Sequence, residues 1–146
     1  MKRLFSIYTV WFYVVCGLAG CLSSSPPNAR SSCSFEQVWD TAIASLEGSH
    51  LESADKANGR VETAWLEVPS QNRAGIMGRD VNKERVKYIV EVQRATAATA
   101  ATVQQRREEW TAMGVRMRQW RAIPSNQSEE AALVTQISNR LREKGC

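Results

Sequence analysis

Two segments of the chain repeat apolar residues at the spacing of an α-helix. The first follows Ser34 and Gln37, which are spaced as a capping box, in which the two side chains satisfy backbone N–H groups at the helix start. Its apolar positions form one stripe: Phe35, Val38, Trp39, Ala42, Ile43 and Leu46. Gly48 is expected to end the helix. The pattern therefore predicts an N-terminal helix that buries Trp39 in the core.

The second helical segment lies at the C-terminus. Ser125 or Ser128 is expected to cap it, because both precede the acidic residues of its first turn. Basic residues near its end match the negative end of the helix dipole. The stripe predicted to be buried consists of Leu133, Val134, Ile137 and Leu141.

Between the helices, the apolar period changes to two, which is typical of strands. Residues 50–68 read as a hairpin around Asn58-Gly59, with Val61, Thr63 and Trp65 on one face. Residues 69–82 read as a long connecting loop. Glu84 to Gln93 form the clearest strand, and its apolar face is expected to contain Val86, Tyr88, Val90 and Val92.

Residues 95–107 allow two interpretations. Their alanines favour a helix, whereas their threonines and Val103 suit a strand that returns beside the preceding one. We favour the strand, with Thr99, Ala101 and Val103 facing the core. The periodicity of residues 108–123 supports no assignment.

This order of elements predicts an α+β fold. An antiparallel four-stranded sheet would carry the N- and C-terminal helices on one face, in the order α-β-β-β-β-α. The domain would span residues 34–146, a length that supports one modest core.

The N-terminal residues have a different character. Lys2 and Arg3 precede an apolar run over residues 4–15, which is typical of a signal peptide over residues 1–20. The sequence Leu18-Ala19-Gly20-Cys21 resembles the lipobox of bacterial lipoproteins. That resemblance implies cleavage before Cys21, a diacylglycerol on its sulfur and acylation, for example by palmitate, of its new amino group. Cleavage near Ala19 as an ordinary signal and an uncleaved membrane anchor are the alternatives.

Residues 21–33 are predicted to form a flexible tether, because they are rich in serine and proline and too polar to pack. Enteric lipoproteins that stay in the inner membrane usually have an aspartate after the lipidated cysteine. This chain has Leu22 and Ser23 there. The resemblance therefore implies an outer-membrane protein, anchored by its lipid, that faces the periplasm.

The charge of the chain gives little support to nucleic-acid binding. The formal net charge is +4, from 19 basic and 15 acidic residues. Two of the basic residues, Lys2 and Arg3, leave with the signal peptide, so the mature chain is nearly neutral. We therefore predict no nucleic-acid partner.

The four cysteines are interpreted in the same way. Cys16 belongs to the signal peptide and Cys21 to the lipid anchor, which leaves Cys33 and Cys146 in an oxidising compartment. These two lie just before the first helix and just after the last, so we predict a disulfide between them. Two free thiols or intermolecular pairing are the alternatives.

The sequence offers no clear catalytic or metal-binding motif. His50 is the only histidine, and no cysteine pair has the spacing of zinc ligands. Asp55 precedes a tight turn, where an aspartate usually accepts hydrogen bonds from backbone amides. Glu108-Glu109 and Glu129-Glu130 are consecutive, so their side chains point apart. We predict no enzyme activity, no cofactor and no metal.

One resemblance covers about residues 35–141. It rests on the aromatic first helix, the segment Glu52 to Trp65, the segment Tyr88-Ile89-Val90-Glu91-Val92, Trp120 and the closing helix. These features resemble the helix-grip domain of BamC-type (NlpB/DapX-like) outer-membrane lipoproteins. The resemblance implies a non-enzymatic accessory protein of the machinery that inserts β-barrel proteins into the outer membrane. The best-known members of that family have two such domains, whereas this chain has room for one.

Two functions therefore stay open. In the first, the lipoprotein binds another envelope protein through its sheet surface and loops. In the second, it holds a small apolar or amphipathic ligand between sheet and helix, as helix-grip folds can. The residues predicted to form the ligand pocket or partner surface are Trp65, Tyr88, Trp110 and Trp120.

Overall fold

The computed structural model describes residues 26–70, 75–76, 79–80, 82–110 and 119–146. The predicted signal peptide and Cys21 lie outside these residues. The elements along the described chain are β1 Asn28–Ser31, α1 Phe35–Ser45, β2 Leu51–Asp55, β3 Arg60–Thr63, β4 Leu66–Pro69, β5 Gly75–Ile76, β6 Arg79–Asp80, β7 Lys83–Arg94, β8 Thr99–Trp110, β9 Arg121–Ile123 and α2 Gln127–Glu143.

The main sheet is built on β7 and β8. These strands have 12 residues each and pair antiparallel without interruption, from Lys83 opposite Trp110 to Arg94 opposite Thr99. On either side lie further strands, in the order β1-β8-β7-β3-β2. The other half of the central pair is flanked by β4, which pairs with β7, and by β9, which pairs with β8. β5 and β6 form a separate two-stranded sheet.

The α+β class and the antiparallel sheet are confirmed, but the four-stranded sheet in the order α-β-β-β-β-α is wrong. The main sheet has 7 strands. β1 and β9 were not predicted from the sequence, because they have 4 and 3 residues and are too short to show a period of two. β4 was predicted only as the continuation of the second hairpin strand. The contested residues 95–107 lie mostly in β8, so the strand interpretation is confirmed there.

The predicted hairpin over residues 50–68 has two strands, but its second strand is interrupted. Glu62 lies opposite Ile89, whereas Leu66 lies opposite Val86, so the outer chain has one residue more than β7 between these pairs. Because successive side chains in a strand alternate between faces, one extra residue reverses the pattern. Val61 and Thr63 therefore face the helices, and Trp65 lies on the opposite face. The prediction that the three share one face is wrong.

Both helices pack on one face of the sheet and run antiparallel. Two cationic side chains of α2 hold α1: Arg140 Nη1 donates to the Ala44 carbonyl at 2.7 Å, and Lys144 Nζ to Thr41 Oγ1 at 2.8 Å. The predicted stripes of both helices meet the apolar faces of the central strands. The buried residues of this core include Val38, Trp39, Ala42, Leu46, Val61, Val90, Val92, Ala101, Val103, Ile137 and Leu141.

The two helix starts differ in how well the sequence predicted them. At α1, the capping box of Ser34 and Gln37 is confirmed. At α2, the cap is Asn126 rather than Ser125 or Ser128, and its side chain accepts the Ser128 N–H at 3.1 Å. The N–H of Asn126 also donates to Gln105 Oε1 at 2.8 Å. This hydrogen bond fixes the start of the helix to β8 and explains why Asn126 is the cap.

The expected tether is folded over part of its length. Asn28 to Ser31 form β1, which pairs with Thr102 to Thr99 of β8. Ala29 is 3% exposed and belongs to the core, although it is surrounded by polar residues in the sequence. Any sequence can pair its backbone with an open strand edge. This pairing orders a segment that has no apolar pattern. The prediction of a flexible tether is therefore wrong over β1.

The predicted turn at Asn58-Gly59 is confirmed and has an added role. Gly59 has a φ of +66°, and a Cβ there would overlap the carbonyl of Val92. Its own carbonyl accepts the Val92 N–H at 2.7 Å. The glycine thus lets the β2–β3 turn close directly onto β7.

We expect Trp39→Ala to lower the free energy of unfolding by about 3 to 5 kcal/mol, the usual loss for truncating a buried large aromatic side chain. Trp39 is 3% exposed and stacks on Phe35 with ring centroids 6.2 Å apart. Denaturant titration measures the change. Leu66→Ala is the control, because Leu66 is 57% exposed and should cost little. A loss below about 1 kcal/mol for Trp39→Ala would contradict the packing of α1 against the sheet.

Candidate interaction surface

The face of the main sheet opposite the helices is called the open face. It is defined on β7 by Arg85, Lys87, Ile89, Glu91 and Gln93 and on β8 by the even-numbered residues, because β8 buries its odd-numbered residues Thr99 to Gln105 toward the helices. In the part of the chain that the structure describes, neither helix packs on this face. In the described residues, the side chains of the open face are therefore not covered by a helix and can contact a partner.

Two indole rings and a guanidinium group form a stack on the open face. Arg85 Cζ lies 4.5 Å from the ring centroid of Trp65 and 4.3 Å from that of Trp120. Both distances are within the range of cation–π interactions. We call Trp65, Arg85 and Trp120 the tryptophan–arginine stack.

The strand order explains why these side chains meet. Trp65 directly precedes β4, which borders β7, and Trp120 directly precedes β9, which borders β8. The two tryptophans therefore lie on opposite sides of the central pair of strands, and the Arg85 side chain of β7 lies between their rings. Glu108 also holds the guanidinium. It lies opposite Arg85 on β8, and its Oε2 accepts a hydrogen bond from Arg85 Nε at 2.8 Å.

Ion pairs occupy the neighbouring part of the open face. Arg60 contacts Glu62 at 2.8 Å and Glu91 at 2.5 Å, and Lys87 contacts Glu52 at 2.5 Å. A hydrogen bond from Arg60 lowers the pKa of Glu62, and one to Glu52 raises the pKa of Lys87. Both shifts favour the charged forms, so Glu62 and Lys87 stay ionised at neutral pH.

The ion pairs also explain an apolar residue on the open face. Ile89 is 1% exposed, although it points away from the helices. Its neighbours in the register are Glu62 and Gln104, and Lys87 and Glu91 lie two positions away on the same strand. The aliphatic stems of long polar side chains can cover an apolar group while their charged ends stay in water.

The four residues predicted to form one site do not lie together. Trp65 and Trp120 belong to the stack, and Trp110 is on the open face opposite Lys83. Tyr88 lies on the helix side, where its hydroxyl donates to Glu129 Oε2 at 2.9 Å. Burial, followed by that hydrogen bond, raises the pKa of Tyr88.

Arg85, which connects the stack, was not predicted as a site residue. The alternation of its strand assigned it only to the polar face. The signal that could have found it was a tryptophan just before each of two short edge strands, and neither β4 nor β9 had been predicted as separate strands.

A groove beside Tyr88 is the feature that corresponds best to a ligand site between sheet and helix. It has a volume of about 310 Å³, and its lining includes Leu46, Tyr88, Glu129 and Leu133. This volume is at the lower end of the range for ligand pockets. Deeper in the domain the same interface is filled, since Val90, Val103 and Ile137 are each 0% exposed.

The residues predicted to have no catalytic role have simple structural surroundings. Asp55 accepts the Asn58 N–H at 3.1 Å, and hydrogen bonds from Asn58 lower its pKa. His50 is exposed. Within the described residues, no cluster of three or more histidine, cysteine or acidic side chains is placed to hold a metal ion. In the same residues, no helix has the length and apolar character needed to span a membrane.

Cys33 and Cys146 are joined by a disulfide, with Cα atoms 5.3 Å apart. Cys33 lies between β1 and α1 and is 6% exposed, and its carbonyl accepts a hydrogen bond from Thr99 Oγ1 at 3.0 Å. Cys146 follows α2. The bond therefore joins the first and last helices at the end where the predicted antiparallel packing brings the cysteines together.

No protein-family model matches the chain, and a search of curated proteins finds no significant match. The function is therefore inferred from the residues and the geometry of the domain.

We expect the double variant Cys33→Ser/Cys146→Ser to unfold at lower denaturant concentration. The bridge spans 113 residues, and a loop of this size corresponds to about 4 to 5 kcal/mol in the chain-entropy description. Reductant should destabilise the wild-type protein and leave the double variant unchanged. Mass spectrometry of non-reduced digests checks the bridge directly, and free thiols at both positions in protein isolated without reductant would contradict it.

Proposed function

We propose that this chain is a non-enzymatic outer-membrane lipoprotein, anchored by lipid on Cys21, whose domain binds another envelope protein through its open face. The observation that carries the proposal is the tryptophan–arginine stack, which lies on the side of the sheet that the described helices leave uncovered. The lipobox-like sequence before Cys21 supports the anchor. The resemblance to BamC-type lipoproteins supports a role in envelope or β-barrel protein assembly.

The composition of the stack suits a protein interface. Tryptophan and arginine are the residues most enriched among those that dominate binding energy. Arg85 is already held by two rings and by Glu108, so its side chain loses little conformational freedom when a partner binds. The stack is thus organised before binding, which favours recognition.

The geometry favours this function over binding of a small ligand. The groove that includes Tyr88, one of the residues predicted to bind a ligand between sheet and helix, is partly closed, because the Tyr88 hydroxyl already contacts Glu129 and Gln105. Native mass spectrometry of protein purified from membranes tests the alternative. A bound small molecule that is lost on Leu133→Trp, a change that would fill the groove, would favour it.

We expect Cys21→Ala to abolish membrane attachment. The acyl chains contribute about 0.8 kcal/mol per buried methylene, and two or more chains hold a protein firmly on a membrane. Fractionation and intact mass of the variant and the wild type check this. A Cys21→Ala protein that is still processed and still sediments fully with outer membranes would contradict the anchor.

Site-specific photo-cross-linking tests the partner surface. A photoreactive phenylalanine analogue replaces Glu67 or Ala122, which are exposed and lie opposite Arg85 and Glu108 on the open face. The matched controls are Gln136 and Glu143, which are exposed on α2. We expect one defined envelope protein to cross-link to the open-face positions and not to α2.

A substitution in the stack makes the test quantitative. Trp120→Leu should weaken binding of that partner at least about tenfold, the loss expected for an interface tryptophan. Leu66→Ala is the control on the other face and should bind normally. Equal cross-linking from α2, or unchanged binding by Trp120→Leu, would contradict the proposed surface.

A further inference from the structure

The N-terminal chain joins the sheet close to the proposed lipid anchor. The Pro27 carbonyl accepts the Val103 N–H at 3.2 Å, and β1 begins at the next residue. Only five residues therefore separate Cys21 from the first fixed position. The inference drawn from this spacing rests on the proposed lipidation of Cys21.

This short connection limits how far the domain can lie from the membrane. Six Cα–Cα steps from Cys21 to Pro27 reach at most about 20 Å when fully extended. The point at which the chain joins β8 is thus kept near the lipid head groups.

That point lies in a gap along the edge of β8. β1 pairs with Thr99 to Thr102 and β9 with Arg107 to Glu109. Between these two strands, the Val103 N–H donates to the Pro27 carbonyl, and the side chains of Gln104 and Arg106 are exposed. The chain therefore leaves the sheet at the middle of one edge, where Pro26 and Pro27 also lie beside the first turn of α2.

Two arginines lie on either side of this exit. Arg30 is opposite Ala100, and Arg106 is six positions further along β8. Because positions that differ by an even number share a face, both arginines are on the open face, each about 10 Å along the strand from Val103. Both are exposed.

These two charges are not neutralised by the described part of the chain. Arg60, Arg85 and Lys87 on the same face have carboxylate partners. In contrast, no described carboxylate lies within ion-pair distance of Arg30 or Arg106. The open-face residues nearest the exit, Asn28, Thr102 and Gln104, are uncharged.

We propose that Arg30 and Arg106 dock the open face on anionic phospholipid head groups beside the anchor. Because the anchor keeps the exit within about 20 Å of the membrane, both side chains can come within the distance over which charges interact at physiological salt, about 8 Å. Each arginine close to an anionic surface favours contact. The partner of the tryptophan–arginine stack would then be a protein embedded in the same membrane.

The tryptophans of the mature chain are a natural probe of this orientation. Trp65, Trp110 and Trp120 are on the open face, whereas Trp39 is buried under the helices. Lipids brominated near the top of their acyl chains quench nearby indole fluorescence. Quenching therefore reports how much of the protein lies with its open face on the bilayer.

The experiment uses the mature lipoprotein in liposomes of brominated phosphatidylcholine, with or without phosphatidylglycerol. Intact mass first establishes the acyl chains on Cys21. We expect strong quenching with phosphatidylglycerol, and weak quenching without it or at high salt. The double variant Arg30→Gln/Arg106→Gln should lower the ratio of docked to undocked protein about thirtyfold.

The control variant Lys56→Gln/Arg142→Gln removes the same charge beside the helices, where Lys56 pairs with Glu36 and Arg142 is exposed, and should be quenched like the wild type. Quenching that ignores phosphatidylglycerol and salt, or that persists in Arg30→Gln/Arg106→Gln, would overturn this inference alone. A mature protein without acyl chains on Cys21 would overturn the proposed anchor, and this inference with it.

Discussion

The uninterrupted pairing of β7 with β8 is the interaction on which the rest of the structure depends. Twelve residue pairs make these strands twice as long as an average strand, so each has two different sets of neighbours. One half is bordered by β1 and β3 and covered by the helices, and the other is bordered by β4 and β9. The first half contains most of the core, and the second assembles the tryptophan–arginine stack.

The sequence predicted those parts of the fold that follow from side-chain periodicity. The stripe around Trp39, the alternation over Val86 to Val92 and the Asn58-Gly59 turn are local patterns, and each is present. The missed elements depend on pairing with distant strands. β1 has one buried apolar residue, Ala29, and β9 has none, so only the open edges of β8 order them.

The candidate surface was predictable in composition but not in geometry. Trp65 and Trp120 were predicted as surface residues and both contact Arg85, yet Trp65 was assigned to the wrong face because one extra residue between β3 and β4 reverses the alternation. Tyr88 was grouped with them, although it belongs to the helix side, where it bonds to Glu129. The ring contacts of Arg85 depend on β4 and β9, which lie on opposite sides of the central pair. No local sequence pattern predicts which strands become neighbours in the sheet.

The disulfide has a mechanical consequence for a domain held by its N-terminus. Tension applied at the N-terminal end of the domain would first load β1, whose hydrogen bonds to β8 run perpendicular to the strands and resist a pull along β1 together. If β1 separated, the force would next reach Cys33, where a covalent bond passes it to the C-terminal residue. Unravelling from the N-terminal end of the domain would thus meet a covalent cross-link after a few residues, and further extension would have to load both helices at once.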